Sequence, residues 1–269
     1  MTDRIETVRL TGLGAAIKAG GQSSAERRPR DLRTLRRIVT AISIVLAPLA
    51  VGIVRATVPL ASSSGGQAAI AAAAANLGMA RVELAAGVVA SLLLPFAIVG
   101  LTRLVVQRAP ILALLGGGLA LVGWALVPSL VTSDAVTYEM ARLGTNSAQF
   151  AALWEQFNGN IAVSILFFVF LIGHELGTLL LGIGLARARV VPLWAASFVV
   201  IGIVLHPVSV ATGSRLLDIL AYGLVTAGCV AAARAVLISP NDAWDLPPLS
   251  ASGAGSAAVS PRREAGQSV

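Results

Sequence analysis

Cysteine is nearly missing, with Cys229 the only one in 269 residues. A disulfide within the chain and a thiolate metal cluster are therefore excluded. Charged residues are scarce at 12%, and aromatics make up only 5%. Lysine is all but absent, since Lys18 is the only one and the other basic residues are Arg. The chain has two histidines, His174 and His206. It carries no phosphate loop, no nucleophile elbow and no zinc-ligand cluster. What it has instead is apolar mass. Mean hydropathy is +0.83, and 56% of residues are hydrophobic. A soluble domain does not carry this composition, whereas a polytopic membrane protein does.

The apolar runs predict an all-α bundle of six transmembrane helices. A bilayer core takes about 20 apolar residues of helix. Such runs fall at 37–60, 82–106, 110–131, 160–189, 191–210 and 216–237. Pro48 is expected to kink the first. Pro110 opens the third, where a missing N–H costs nothing. Two short helices are expected outside the membrane. One lies in the Ala-rich part of 61–80, since Ala is the best helix former. The other lies in the loop 132–159, where Phe150, Leu153, Trp154 and Phe157 form one apolar stripe of interfacial type.

Residues 1–34 and 239–269 read as disordered tails flanking a membrane domain at 35–238. The first tail ends in ERRPRDLRTLRR. Next to a span, that run anchors to anionic headgroups, and no nucleic-acid partner is expected. The first apolar run begins too late for a cleaved signal peptide. With both termini inside, sixteen basic residues fall on the cytoplasmic side and three, Arg81, Arg142 and Arg215, on the outer side. This is the positive-inside bias. Pro59, Pro128 and Pro207 each fall near the end of an outgoing span. Together with the similar texts GLTRLVVQRAP and GLARARVVP, they suggest three helical hairpins.

The spans hold few polar groups, and these form the candidate site. Counted by helix rise at ~1.5 Å per residue, Arg55, Glu83, His206 and Asp218 form an outer layer. His174 and Glu175 form a middle layer, with Thr178 one turn below. A charge facing lipid there would cost several kcal/mol, so these groups are expected to point inward. Arg55 is expected to pair with Glu83 or Asp218. The same counting puts His174 about 10 Å below His206, which argues against the two sharing a ligand. The text His174-Glu175-Leu176-Gly177-Thr178 resembles the His-Glu-x-x-His zinc motif, but Thr178 stands where the second His belongs. No metal, cofactor or catalytic residue is assigned on these grounds.

Residues 177–196, GTLLLGIGLARARVVPLWAA, resemble a broad group of uncharacterised actinobacterial integral membrane proteins, six-helix domains of unknown function. His206 with Pro207 near the end of the next span fits the same pattern. The resemblance implies six spans in a bacterial cell membrane and brings no substrate or catalytic residue. The Arg-for-Lys bias agrees with a GC-rich bacterial source.

Three functional readings follow. In the first, an outward-facing pocket of Arg55, Glu83, His206 and Asp218, floored by His174 and Glu175, binds a small molecule, lipid or proton in a transporter-like or sensory unit. In the second, the chain is a structural subunit that meets another membrane protein through glycine faces bare to lipid. In the third, it is a membrane enzyme on a lipid-borne substrate, using His206 and an acidic partner.

Overall fold

The computed structural model describes residues 31–58, 65–144 and 147–244. The two expected tails lie mostly outside them. The described residues are helical, with no strand among them, and the protein is an all-α polytopic bundle. Its elements are α1 (Arg33–Thr57), α2 (Gly66–Ala75), α3 (Leu77–Val106), α4 (Pro110–Trp124) and α5 (Val127–Leu143). They continue with α6 (Ser147–Asn158), α7 (Ile161–Ala188), α8 (Leu193–Thr212), α9 (Arg215–Ile238) and α10 (Asn241–Trp244). Six segments are long and apolar enough to cross a membrane: α1, α3, α4 with α5, α7, α8 and α9.

The six segments form a ring in chain order. Each packs on the next, and α9 returns to α1. The end where α1 begins and α9 finishes is closed by the Arg33–Asp242 ion pair and by Asn241 donating to Thr34 Oγ1 at 3.0 Å. This is the terminal end of the bundle. Here Asn241–Trp244, expected to be tail, form α10, and Trp244 is buried.

The ring closes through small residues. Ala41, Ala47 and Ala50 of α1 meet Ala90 and Ala97 of α3 in the core. A Cβ on Gly123 would overlap the backbone nitrogen of His174, and one on Gly177 would overlap the backbone of Ala120. Backbone-to-backbone approach of this kind drives helix association where lipid is as apolar as the side chains. Large apolar groups such as Ile111, Leu114, Leu92 and Phe168 stay exposed on the outside, as a lipid-facing surface requires.

Two short connections set the register of the last three spans. Between α7 and α8 lie only residues 189–192. Arg189 ends α7 at φ 51, and Arg108 donates to the Ala188 carbonyl at 3.0 Å. Between α8 and α9 lie only Gly213, at φ 65, and Ser214, whose hydroxyl accepts from the Leu217 N–H. Glycine takes that left-handed turn without strain.

The expected loop at 132–159 is largely helix. The third span breaks after Trp124, and Pro128, in the first turn of α5, restarts it. It then runs on to Leu143, where Gly144 stops it at φ 65. The two expected outer helices are present as α2 and α6. Glu155 of α6 accepts from the Gly66 N–H at 2.7 Å and so caps α2. Leu153 and Phe157, half of the expected apolar stripe, are exposed, while Phe150 packs against Ile70, Ala73, Met140 and Ala141.

Candidate functional site

Five of the six expected site residues, all but Glu83, meet in one chain of contacts between four helices. Arg55 of α1 donates from Nε to Asp218 Oδ2 of α9 at 2.6 Å. The other oxygen of Asp218 lies 2.8 Å from His206 Nδ1 of α8. His206 Nε2 lies 3.8 Å from Glu175 Oε1 of α7, and His174 Nε2 lies 3.1 Å from the same oxygen. His174, His206, Asp218 and Glu83 are buried. Arg55 thus takes Asp218 of its two expected partners. Glu83 of α3 sits within electrostatic reach of Arg55 and of Asp134.

The two expected layers are therefore in contact, and His174 is level with His206 instead of below it. The His174 and His206 rings are 5.8 Å apart between centroids, and the expected offset of about 10 Å is wrong. The error lies in the reference point. Measured from the far ends, His174 is thirteen residues into α7 and His206 only six from the end of α8. But α7 has 28 residues and α8 has 20, so their far ends are not level. Their common reference is the short turn at 189–192. From it, His174 is fourteen residues back from Ala188 and His206 thirteen on from Leu193. Helix rise then places them at nearly equal depth. Across the turn at Gly213 and Ser214, Asp218 lies three residues into α9 and His206 six residues from the end of α8, and their side chains span that offset.

Hydrogen bonds orient both rings. His174 Nδ1 lies 2.9 Å from the Phe170 carbonyl, which can only accept. His206 Nδ1 faces a carboxylate oxygen, also an acceptor. In both rings Nδ1 therefore carries the proton, and a neutral ring presents a bare lone pair at Nε2. Glu175 Oε1 adds a third. One ligand atom each from His174, Glu175 and His206 lies within 4.8 Å of the others, a set that can hold a metal ion, and Glu175 Oε1 faces the Nε2 of both rings. His174 Nε2 and Glu175 Oε1 are buried without a hydrogen-bond partner.

An aromatic shell surrounds these atoms. Phe170 stacks on His174 at 4.3 Å, and Trp124 meets it edge-on at 5.0 Å. Tyr222 meets His206 edge-on at 5.1 Å. Trp124 Nε1 donates to Thr178 Oγ1 at 3.2 Å, so Thr178 holds the shell in place. Sequence reasoning passed over Trp124, Phe170 and Tyr222, because an aromatic in an apolar run carries no charge that would single it out. Asp134 was hidden by reading its helix as a loop. A separate open cleft of about 950 Å³ at the terminal end is lined by Arg108, Arg187 and Arg189 with Ile183, Val191 and Leu193.

Six apolar segments around a polar centre define a polytopic integral membrane protein. No family model, curated protein or solved structure matches the chain.

Proposed function

We infer that this membrane protein binds a small cation in its polar centre and works as a transporter-like or sensory unit. One observation carries this: the chain of contacts from Arg55 through Asp218, His206 and Glu175 to His174. It sets two carboxylates and two imidazoles against one guanidinium, inside an apolar bundle. Groups so placed are costly, and in membrane proteins they mark ligand or ion pathways by default. Glu83 adds a further carboxylate nearby.

The subunit reading is less well supported. It needs glycine faces bare to lipid, and Gly116, Gly123, Gly173 and Gly177 are spent on contacts between α4 and α7, which leaves Gly118 of α4 and Gly223 of α9 as single glycines facing open space. For the setting, we take the bacterial plasma membrane with both termini cytoplasmic, as the Arg distribution and the text at 177–196 support.

The test is thermal unfolding of the purified chain in lipid nanodiscs, with chlorides of Na⁺, Mg²⁺, Ca²⁺, Mn²⁺ and Zn²⁺ as probes. At least one cation is expected to raise Tm in the wild type. The rise is expected to vanish in Glu175→Gln and to shrink in Asp218→Asn, since a ligand that binds only the folded state stabilises it by mass action. No rise with any cation, or an equal rise in the variants, would overturn the reading.

A further inference from the structure

We propose that the cation is a divalent transition metal of the zinc type, held by His174 Nε2, His206 Nε2 and Glu175 Oε1. This rests on the cation-binding reading and narrows it to a ligand class and three ligand atoms.

The argument starts from lone pairs. Three acceptor atoms converge, at 3.1 Å and 3.8 Å from the shared carboxylate oxygen. Both imidazoles spend their proton on the other side of the ring. Acceptors facing one another without a donor repel, and in a dry interior an unsatisfied polar atom costs about 1–3 kcal/mol. A cation among them removes both penalties. A proton is the weaker candidate, because His174 Nε2 and Glu175 Oε1 are close yet form no hydrogen bond. A metal needs no such alignment, only three atoms around a point. Zinc bonds to nitrogen and carboxylate oxygen are about 2.0–2.2 Å. Tetrahedral ligand atoms therefore stand about 3.3 Å apart, close to the 3.1 and 3.8 Å that separate Glu175 Oε1 from the two Nε2 atoms.

The ligand types choose the class. Two imidazoles and one carboxylate suit zinc, and also Fe²⁺, Co²⁺ and Mn²⁺, better than the all-oxygen sites of Ca²⁺ or Mg²⁺. Three protein ligands leave a position open for water or an incoming ligand, as catalytic or transported metals require.

The surroundings are those a metal site needs. A ligating histidine usually gives its other N–H to a carboxylate or a carbonyl, which fixes its ring. Here His206 gives it to Asp218 and His174 to the Phe170 carbonyl. Arg55 in turn fixes Asp218. Phe170, Trp124 and Tyr222 supply the apolar shell. The zinc-like text at 174–178 thus finds its second histidine on the next helix instead of at Thr178. Glu175 leaves the helix about a quarter-turn further round than His174. The length of its side chain brings the carboxylate back to the ring.

The experiment uses the full-length chain with any purification tag removed, stripped with a chelator and reloaded with Zn²⁺ or Co²⁺ in nanodiscs. One metal per chain is expected by elemental analysis. The Co²⁺ form is expected to show visible d–d absorption of a low-coordinate nitrogen–oxygen site. Asp218→Asn, a positioning change, is expected to weaken affinity about 10- to 100-fold and to shift the Co²⁺ bands. His206→Gln removes a ligand and is expected to weaken affinity further. Should that variant fail to fold, Glu175→Gln serves the same purpose. The proposal is overturned if the wild type binds neither Zn²⁺ nor Co²⁺, or binds them equally well in the variants. If a hard cation still raises Tm in a Glu175-dependent way, only the metal assignment has failed. If no cation does, both readings fail.

Discussion

What one nitrogen of a buried imidazole does decides what the other can offer. Asp218 is therefore central, although it is not among the three converging atoms. It accepts from His206 and from Arg55, and it is buried. Removing Arg55 leaves the carboxylate with one partner fewer. Arg55→Gln is expected to destabilise the fold by about 1–3 kcal/mol, the cost of a buried acceptor left short of a donor. The side chain of Arg55 keeps 28% of its exposure, so the lower half of that range applies. Adding Asp218→Asn to Arg55→Gln is expected to recover part of the loss, because the buried charge goes with its partner. Denaturation of the single and double variants in one lipid system checks this. Equal losses that simply add would show that the two residues do not interact.

At the scale of elements, two helices meet where glycine lets their backbones touch. Gly177 of α7 faces the backbone of Ala120, and Gly123 of α4 faces the backbone of His174. Gly177→Val is expected to cost about 1–3 kcal/mol or more, since backbone cannot swing aside as a side-chain tip can. Gly118→Ala is the control. Nothing lies within 4 Å of a Cβ there, so no loss is expected. Stability of the two variants against the wild type decides, and an equal loss would sink the contact argument. The same elements show what could be read in advance. All six spans were legible because about 20 apolar residues have few other uses in water. The polar residues of the site were legible too, since a charge in an apolar run stands out. Their distances were not. Depth was counted from the open ends of α7 and α8, whereas the four residues at 189–192 fix the register. The connection length was in the sequence and would have placed His174 beside His206. The Phe170 carbonyl was out of reach in another sense, because which ring nitrogen a backbone oxygen accepts from depends on a rotamer.

For the whole molecule, the distribution of arginines bears on which side of the membrane the polar centre faces. His206 lies six residues from the end of α8, and Asp218 three residues into α9. Both are near the end of the bundle opposite the start of α1 and the finish of α9. Access from that side is therefore short, and access from the terminal end crosses most of the apolar core. Among the described residues, the terminal end carries Arg33, Arg36, Arg37, Arg103, Arg108, Arg187, Arg189 and Arg234, and the far end carries Arg55, Arg81, Arg142 and Arg215. Basic residues near span ends stay on the cytoplasmic side. The terminal end is thus expected inside and the polar centre open to the outside. Fusions in a bacterial host check this. Green fluorescent protein at the C-terminus is expected to fluoresce, and alkaline phosphatase there to be inactive. Alkaline phosphatase fused after Gly144, at the end of α5, is expected to be active. The reverse pattern would turn the molecule over and leave the polar centre nearer the cytoplasm. An exporter or an internal sensor would then be the better description than an uptake route or an outward sensor.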